Sequence, residues 1–466
     1  MSLATPDTPD LSLIAINLTQ RCNLACEHCY LDANTLKDGS EGELSTQEVC
    51  KLLDEIADLD NGTMVVLTGG EPLVRRDLEE IIKHGAKKEL AMVLGTNGAL
   101  LTKERVKSLQ QAGLMGAGIS VDSLNSEFHD RFRGQVGSWQ QTMNGIENCR
   151  QAGLSFQVHF SIMDDNAHEL NDMVEFSRAC EARVLNIFFL VCTGRGESFS
   201  DISPLRYEQT LKDIIKVQEK YPDLIIRPRC APHFKRVAHQ LNPESKLNQI
   251  SGREGDGCIA GIHYARITHD GKVTACPYIE DSVGSIRQTS FTSIWSNASD
   301  FEALRKPKLT GRCGACEYQK LCGGCRARPI AEGNSLMDGD NFCTYVPPEN
   351  TTIIQPLINL HQTISWSAEA EKRLQRIPSF IRKMVKKRAE TYVAEQGEFE
   401  VTAEHLSTLS ARRFGVRIPL KNIKKGGGGY DFIVLQYSGE FFDTEGAKLY
   451  AENHREKQGK PLWFSE

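Results

Sequence analysis

Residues 22–29 read CNLACEHC and place Cys22, Cys26 and Cys29 in a C-x3-C-x2-C spacing. Three thiolates on one short loop are the soft ligand set that an iron-sulfur cubane takes. Three ligands for four irons leave one iron open, and an open position is what a catalytic metal site keeps and a structural site closes. A zinc loop is the other reading of the same residues. A denser group follows: Cys313, Cys316, Cys322 and Cys325 give C-x2-C-x5-C-x2-C, preceded by Cys258 and Cys276 and followed by Cys343. Cys230, in RPRCAPHFKR, is a further candidate ligand. Paired zinc knuckles are the plain alternative, although neither C-x2-C pair is followed by the long spacer of a zinc ribbon. Cys50, Cys149 and Cys180 fall at helical positions and read as apolar core residues, while Cys192 in LVCTGRG is expected at the rim of the site.

Four other loops carry polar groups at the ends of expected strands. In Gly69-Gly70-Glu71-Pro72 the glycines permit close backbone approach, and the carboxylate can receive an ammonium group. Ser120 and Asp122 in ISVDS suit ribose hydroxyls or are satisfied loop polars. Thr96 and Asn97 in GTNG are cofactor contacts or ordinary turn residues, and Arg133 in FRG is a carboxylate contact or a surface charge.

Short apolar strands alternating with amphipathic helices must position these loops. Strands are expected at residues 13–18, 64–68, 91–96, 118–121, 156–161 and 185–191, with Ser45 and Glu48 forming a capping box for a helix to about residue 57 and Thr102 capping another. Repeated βα units of this kind are an α/β class, a partial (β/α)6 TIM-like barrel whose chemistry sits after the strand C-termini. The expected organisation is a core domain over 1–225, a cysteine-rich domain over 226–347, a linker over 348–365, a small helical domain over 366–413 and a tail over 414–466 of no assigned role. In the helical segment Leu374, Ile377, Phe380, Ile381, Met384 and Val385 recur at helical spacing, and Pro378 is read as starting a second helix.

The 466 residues carry 55 Lys or Arg against 61 Asp or Glu, so no overall basic field exists for nucleic acid or an anionic membrane. With 15 cysteines, no export signal and no long apolar run, the chain is expected to be cytoplasmic, with thiols used for metal rather than disulfides.

The cysteine spacing followed by Tyr30, together with GGEP and the βα pattern, resembles the radical S-adenosylmethionine (radical SAM) superfamily. The resemblance implies that Cys22, Cys26 and Cys29 hold a 4Fe-4S cluster whose open iron binds S-adenosylmethionine. It also implies that Tyr30, Gly69, Gly70, Glu71, Pro72, Asn97, Ser120, Asp122 and Arg133 surround that cofactor. Reductive cleavage would give a 5′-deoxyadenosyl radical, with ferredoxin or flavodoxin as the reducing partner. The second group resembles the SPASM extension, with HDGKVTAC and CGGCRAR as its marks. By that resemblance Cys313, Cys316, Cys322 and Cys343 complete one auxiliary cluster, and Cys258, Cys276 and Cys325 serve another. Cys230 or an open iron would complete the latter. The spacing departs from the usual one in having x2 rather than x3 before Cys325.

Two stretches resemble tetrapyrrole enzymes. CNLACEHCYLDA with SLNSEFHDRFRG and CAPHFKR resembles the radical SAM proteins of haem d1 synthesis and of the alternative haem route, and residues 366–406 resemble the small C-terminal domain of a light-independent protochlorophyllide reductase subunit. The implied reaction removes or oxidatively decarboxylates carboxylate side chains of a tetrapyrrole, a small-molecule substrate, with no nucleic acid or membrane involved. Residues 366–390 carry eight Lys or Arg against three Glu, and Arg227, Arg229, Lys235 and Arg236 form a second basic group. His233, His239 and His263 are haem ligands or core histidines. A maturase acting on a peptide side chain is the alternative, although such enzymes usually carry a recognition domain ahead of the first strand. A cluster-bearing electron carrier is a third class, in which GGEP would be superfluous.

Overall fold

The computed structural model describes residues 9–33, 42–198, 202–245, 247, 257–349, 351–354, 364–377, parts of 382–396, and 398–414. Seven parallel strands follow one another in spatial order: β1 (Leu13–Asn17), β2 (Met64–Thr68), β3 (Ala91–Thr96), β4 (Gly116–Ser120), β5 (Phe156–Ile162), β6 (Val184–Phe189) and β7 (Ile225–Arg229). On the far side of β1 lies β8 (Tyr264–Ile267), parallel to it, and then β9 (Lys272–Thr274) and β10 (Gly284–Ser285), antiparallel. The sheet ends at β7 and β10 and does not close, which makes it a partial barrel.

The strand pattern differs from expectation most at β4, β6 and β7. β4 starts two residues earlier and stops at Ser120, which leaves Asp122 in the loop; β6 runs from Val184 to Phe189; and β7, in IIRPR, extends the sheet across the expected boundary at 225. Pro228 hides β7 in the sequence, yet an end strand tolerates it because one edge needs no donors. The strands of the cysteine-rich segment therefore belong to the same sheet as the βα units.

The helices α1 (Thr46–Asp60), α2 (Leu78–Lys87), α3 (Lys103–Ala112), α4 (Ser126–Arg133), α5 (Ser138–Ala152), α6 (Leu170–Ala179), α7 (Pro204–Lys220) and α8 (His233–Leu241) are amphipathic, and those of the βα units cover the sheet's outer face. Ser45 and Glu48 form the capping box, Glu48 N donating to Ser45 Oγ at 3.2 Å and Ser45 N to Glu48 Oε2 at 2.8 Å. Thr102 caps α3, its hydroxyl accepting from Arg105 N at 3.2 Å. Strand alternation divides the side chains: Phe156, Val158, Phe160 and Ile162 of β5 are buried in the core, while Gln157, His159 and Ser161 point to the opposite, concave face. Cys149 and Cys180 are core residues as expected, whereas Cys50 is only half-buried.

The chain falls into two compact units, Met1–Asn359 and Leu360–Glu466. In the second, helix Ala368–Gln375 and helix Ala403–Phe414 accompany a parallel strand pair, Ser365–Trp366 with Glu400–Val401. Ala370, Ala389, Val393 and Val401 form its small core, with Trp366, Leu406 and Leu409 packed against it. Pro378, Phe380, Ile381, Met384 and the tail from 415 onward lie outside the described residues. Among the described residues no helix is long and apolar enough to cross a membrane.

Candidate active site

The loop after β1 carries Cys22, Cys26 and Cys29, and two remote segments clamp it. Ala25 N donates to Arg133 O at 3.2 Å and Glu27 N to Phe132 O at 3.0 Å, which ties the loop to the end of α4. From the loop after β6, Arg195 donates through Nε to Cys26 O at 3.1 Å and through Nη1 to Ala33 O at 2.8 Å, and pairs with Asp32 at 2.9 Å. Gly194 beside it has φ +59°, and a Cβ there would stand 2.8 Å from Tyr30 O. Neither Arg195 nor this clamp was legible in the sequence, because LVCTGRG shows only a loop.

Arg133 lies inside this arrangement. Its Nη1 donates to Cys26 Sγ at 3.6 Å and its Nη2 pairs with Asp122 Oδ2 at 2.5 Å; both charged groups are buried. The two residues expected at the cofactor's carboxylate and ribose are thus partners of each other next to Cys26. Asp122 Oδ1 also accepts from Ser161 N at 3.1 Å. His28, a residue the sequence reading passed over, stacks on Phe132 with centroids 4.4 Å apart and stands 3.9 Å from Asp122. Burial holds His28 down to about 4 despite Asp122, so its ring is neutral at pH 7.

Burial pushes the Cys22 thiol up to about 12 and raises Cys26 as well, Arg133 opposing the latter. Protein groups alone would keep these thiols protonated; a cationic metal centre supplies what ionises them. The donor set fits a cluster.

The GGEP loop crosses under the cysteine loop, with Gly70 N donating to Thr19 O at 2.7 Å and Glu71 N to Arg21 O at 2.8 Å. Gly69 has φ +136°, and a Cβ there would collide with Thr19 O, so the turn requires glycine. Glu71 is fully buried: Oε1 accepts from Leu73 N at 3.1 Å and Thr96 Oγ1 at 2.8 Å, and Oε2 from Asn97 N at 2.9 Å. Glu71 therefore fixes GGEP to the GTNG loop. Burial pushes its carboxyl up to about 7 against those three donors, and a cation placed beside it would restore the charge. Asn97 reaches Asn23 of the cysteine loop at 2.8 Å. Pro72, buried, opens one turn of 3-10 helix. Tyr30 meets Tyr278 edge-on at 5.6 Å, linking the cysteine loop to the segment after Cys276, and Ser120 ends β4 half-buried on the concave face.

The later cysteines separate into two groups. Cys313, Cys316, Cys322 and Cys343 line one small cavity with His233, Arg236 and Tyr318. Cys230, Cys258, Cys276 and Cys325 form the other: Cys230, Cys258 and Cys325 all stand close enough to Cys276 to raise its pKa, although burial is the larger cause. Cys230 sits at φ +57°, an unusual backbone state for a residue with a Cβ, directly after β7. Between the groups the Asp340 carboxylate accepts from Cys325 N at 2.8 Å and pairs with Arg328 at 3.2 Å, while Arg328 donates to Cys230 O at 2.9 Å. Among the described residues no three Cys, His, Asp or Glu stand close enough for a single metal ion, as a zinc knuckle would require.

The three candidate haem histidines have core partners: His233 with Tyr207 OH at 2.8 Å, His239 with Tyr318 OH at 3.4 Å, and His263 with Asp10 O at 2.9 Å.

With this geometry in view, comparison with known sequences is direct. The model of the radical SAM superfamily matches residues 16–177, that of the SPASM iron-sulfur cluster-binding domain 258–317, and that of the proto-chlorophyllide reductase 57 kD subunit 366–409. An AdoMet-dependent heme synthase of Methanosarcina barkeri is 38% identical over 341 residues, 72% of this chain and 97% of the relative. The chain belongs to the radical SAM superfamily.

A second radical SAM relative, the AdoMet-dependent heme synthase of Oleidesulfovibrio alaskensis, is 36% identical over 73% of this chain and 89% of its own. Streptococcus suis SuiB, solved with S-adenosylmethionine bound, superposes with a TM-score of 0.59 over 72% of this chain and 78% of that one; at 16% identity this is a likeness of fold. This radical SAM enzyme takes a SAM-binding 4Fe-4S cluster, auxiliary 4Fe-4S ligation in its SPASM segment, and S-adenosylmethionine. The zinc readings of its cysteines are set aside. The SPASM match ends at 317, and only the tertiary structure brings Cys322, Cys325 and Cys343 to the earlier cysteines.

Proposed function

We propose that this radical SAM enzyme acts in haem synthesis, in the cytoplasm, by oxidative decarboxylation of carboxylate side chains on an iron tetrapyrrole. The similarity to an AdoMet-dependent heme synthase along 97% of that relative carries the reading. Cys22, Cys26 and Cys29 hold the catalytic cluster, the GGEP loop with Glu71 receives the methionyl amine, and the segments around Asn97, Ser120, Asp122 and Arg133 shape the rest of the pocket. The cluster and S-adenosylmethionine, when bound, supply a 5′-deoxyadenosyl radical. For a propionate to become a vinyl group, one hydrogen atom leaves the side chain to that radical, the C–C bond to the carboxylate breaks with loss of carbon dioxide, and one electron remains to be taken up. Auxiliary clusters held at the two cysteine groups, with Cys230 among the ligands of the nearer one, would supply the acceptor. Ferredoxin or flavodoxin supplies the electron that starts each turnover. The concave face excludes water from the substrate radical.

The test is anaerobic. The reconstituted enzyme, with reductant and S-adenosylmethionine, is given iron-coproporphyrin, and 5′-deoxyadenosine and porphyrin mass are followed together. Loss of one carbon dioxide and two hydrogens per vinyl formed is expected. Cleavage of S-adenosylmethionine with no change in any tetrapyrrole, but with modification of a supplied peptide, would replace this reading by the maturase one.

A further inference from the structure

The concave face of the sheet carries a basic, aromatic stripe that runs from Ser120, at the proposed cofactor site, across to the end strand β7. Strand register sets it out in two rows. In one, Ser120 of β4, His159 of β5, Asn186 of β6 and Arg227 of β7 stand side by side; in the other, Ser161, Phe188 and Arg229 do so. Alternation assigns these side chains to one face, because their neighbours Phe160, Ile187 and Ile226 are buried in the core of the other. His159 and Phe188 contact ring to ring at 5.1 Å. The His159 ring lies over Gly118, where any side chain would collide with it.

Arg229 decides what this stripe can bind. It is half-buried, its side-chain hydrogen bond goes from Nε to the neutral Asn186 Oδ1 at 3.0 Å, and among the described residues no carboxylate pairs with it. A second guanidinium, Arg227, stands two residues away on the same face and is exposed. Two like charges set together beside an aromatic pair, without a protein anion for Arg229, cost free energy unless a ligand supplies the anion. The other members of the basic group are engaged inside the protein. Arg236 is buried and clamps Glu208 through Nη1 at 3.0 Å and Nη2 at 2.5 Å, and Lys235 Nζ donates to Leu247 O at 3.0 Å. Arg227 and Arg229 stand on β7, the end strand of the sheet.

We infer that Arg227 and Arg229 are the carboxylate-binding residues of the substrate site, and that His159 and Phe188 form the surface against which a planar, polyanionic ring lies. The inference rests on the tetrapyrrole reading above and adds to it which strand holds the acidic side chains. Guanidinium groups bind carboxylates through paired N–H donors, so they set the ring's orientation as well as its affinity.

The test measures binding rather than turnover. Quenching of tryptophan fluorescence in the cluster-loaded enzyme, without reductant, gives Kd for iron-coproporphyrin and for its tetraamide, which keeps the ring and lacks the carboxylates. The expected result is a Kd raised at least tenfold in Arg229→Ala and in Arg227→Ala, partial recovery in Arg229→Lys, and no effect of either alanine on the tetraamide. Iron content equal to wild type shows that the fold is kept, and Arg227, exposed on the end strand, remains informative if Arg229→Ala unfolds. Wild-type-like affinity of both alanine variants for iron-coproporphyrin overturns the inference and leaves the tetrapyrrole reading in place. Failure of the wild type to bind any tetrapyrrole overturns both.

Discussion

Arg133 Nη2 stands 2.5 Å from Asp122 Oδ2, and the same guanidinium donates to Cys26 Sγ at 3.6 Å. Asp122 is wholly buried and Arg133 nearly so, which makes this the most enclosed ion pair in contact with the cysteine loop. Through it, the loop after β4, the end of α4 and Cys26 are tied together. A buried pair of this kind contributes little net stability compared with apolar packing, yet breaking it by removing one partner is expensive.

Arg133→Ala should therefore lower stability by about 3–5 kcal/mol, since Asp122 is left buried and unpaired. Thermal unfolding checks the stability. Iron analysis should show loss confined to the catalytic cluster, because the auxiliary cysteine groups do not touch Arg133. The double variant Arg133→Met with Asp122→Leu should recover much of the stability but not the iron.

With Glu71 proposed to receive the methionyl amine, cofactor binding is expected to follow the ionisation of its carboxyl. Burial pushes its carboxyl up to about 7, so the folded protein holds a proton there in conditions where an exposed glutamate would be ionised. The raised pKa also means that ionising Glu71 works against folding above its ordinary range, a cost that grows as pH rises to about 7. An ammonium group needs the ionised form, so affinity for S-adenosylmethionine should fall about tenfold from pH 8 to pH 6. Calorimetric titration of the cluster-loaded enzyme should show this slope in wild type and a flat, weak response in Glu71→Gln. A flat wild-type response would remove Glu71 from amine binding.

Cys230 should count as a ligand. Three cubanes carry about twelve irons. Cys230→Ala is expected to lower iron per chain and change the electron paramagnetic resonance of one auxiliary cluster, while Cys50→Ala leaves both unchanged. An unaltered spectrum in Cys230→Ala would mean an open iron instead.

Asp77 governs acid stability of the segment that backs the cysteine loop. Burial by itself would raise its pKa, but Arg75, donating at 2.8 and 2.5 Å, and Thr46, donating at 2.6 Å, hold it down to about 2. Arg75 in turn donates to Leu18 O and Leu44 O, both at 2.9 Å. Since the folded pKa is depressed, the contribution is present above about pH 4 and lost as pH falls through about 2. Asp77→Asn should cost about 1–2 kcal/mol at pH 7, and the difference from wild type should vanish toward pH 2 in denaturant titrations.

Much of this enzyme is written locally. The Ser45–Glu48 box, the Thr102 cap and the apolar runs of β1, β2 and β3 depend on neighbours a few residues away, and each appears where its residues predict it. The ends of β4 and β6 shifted because strand limits follow hydrogen bonding to the next strand, which no local pattern encodes. β7 was missed because a strand with proline and two arginines looks like a loop until its end position and its concave face are known.

The sequence by itself determined the chemistry: the C-x3-C-x2-C loop and the later cysteines specify soft-metal ligation through residue type and short spacing, and with GGEP their resemblance to radical SAM enzymes implies the cofactor. Only the tertiary structure decided how those residues divide. It turned Glu71 inward onto Thr96 and Asn97, joined Arg133 to Asp122 and Cys26, put Cys230 with Cys258, Cys276 and Cys325, and separated Arg229 from the internally engaged Lys235 and Arg236. Each of these outcomes depends on which segments distant in the chain pack together and on how much water is removed around a charge. Spacing along a chain carries neither quantity.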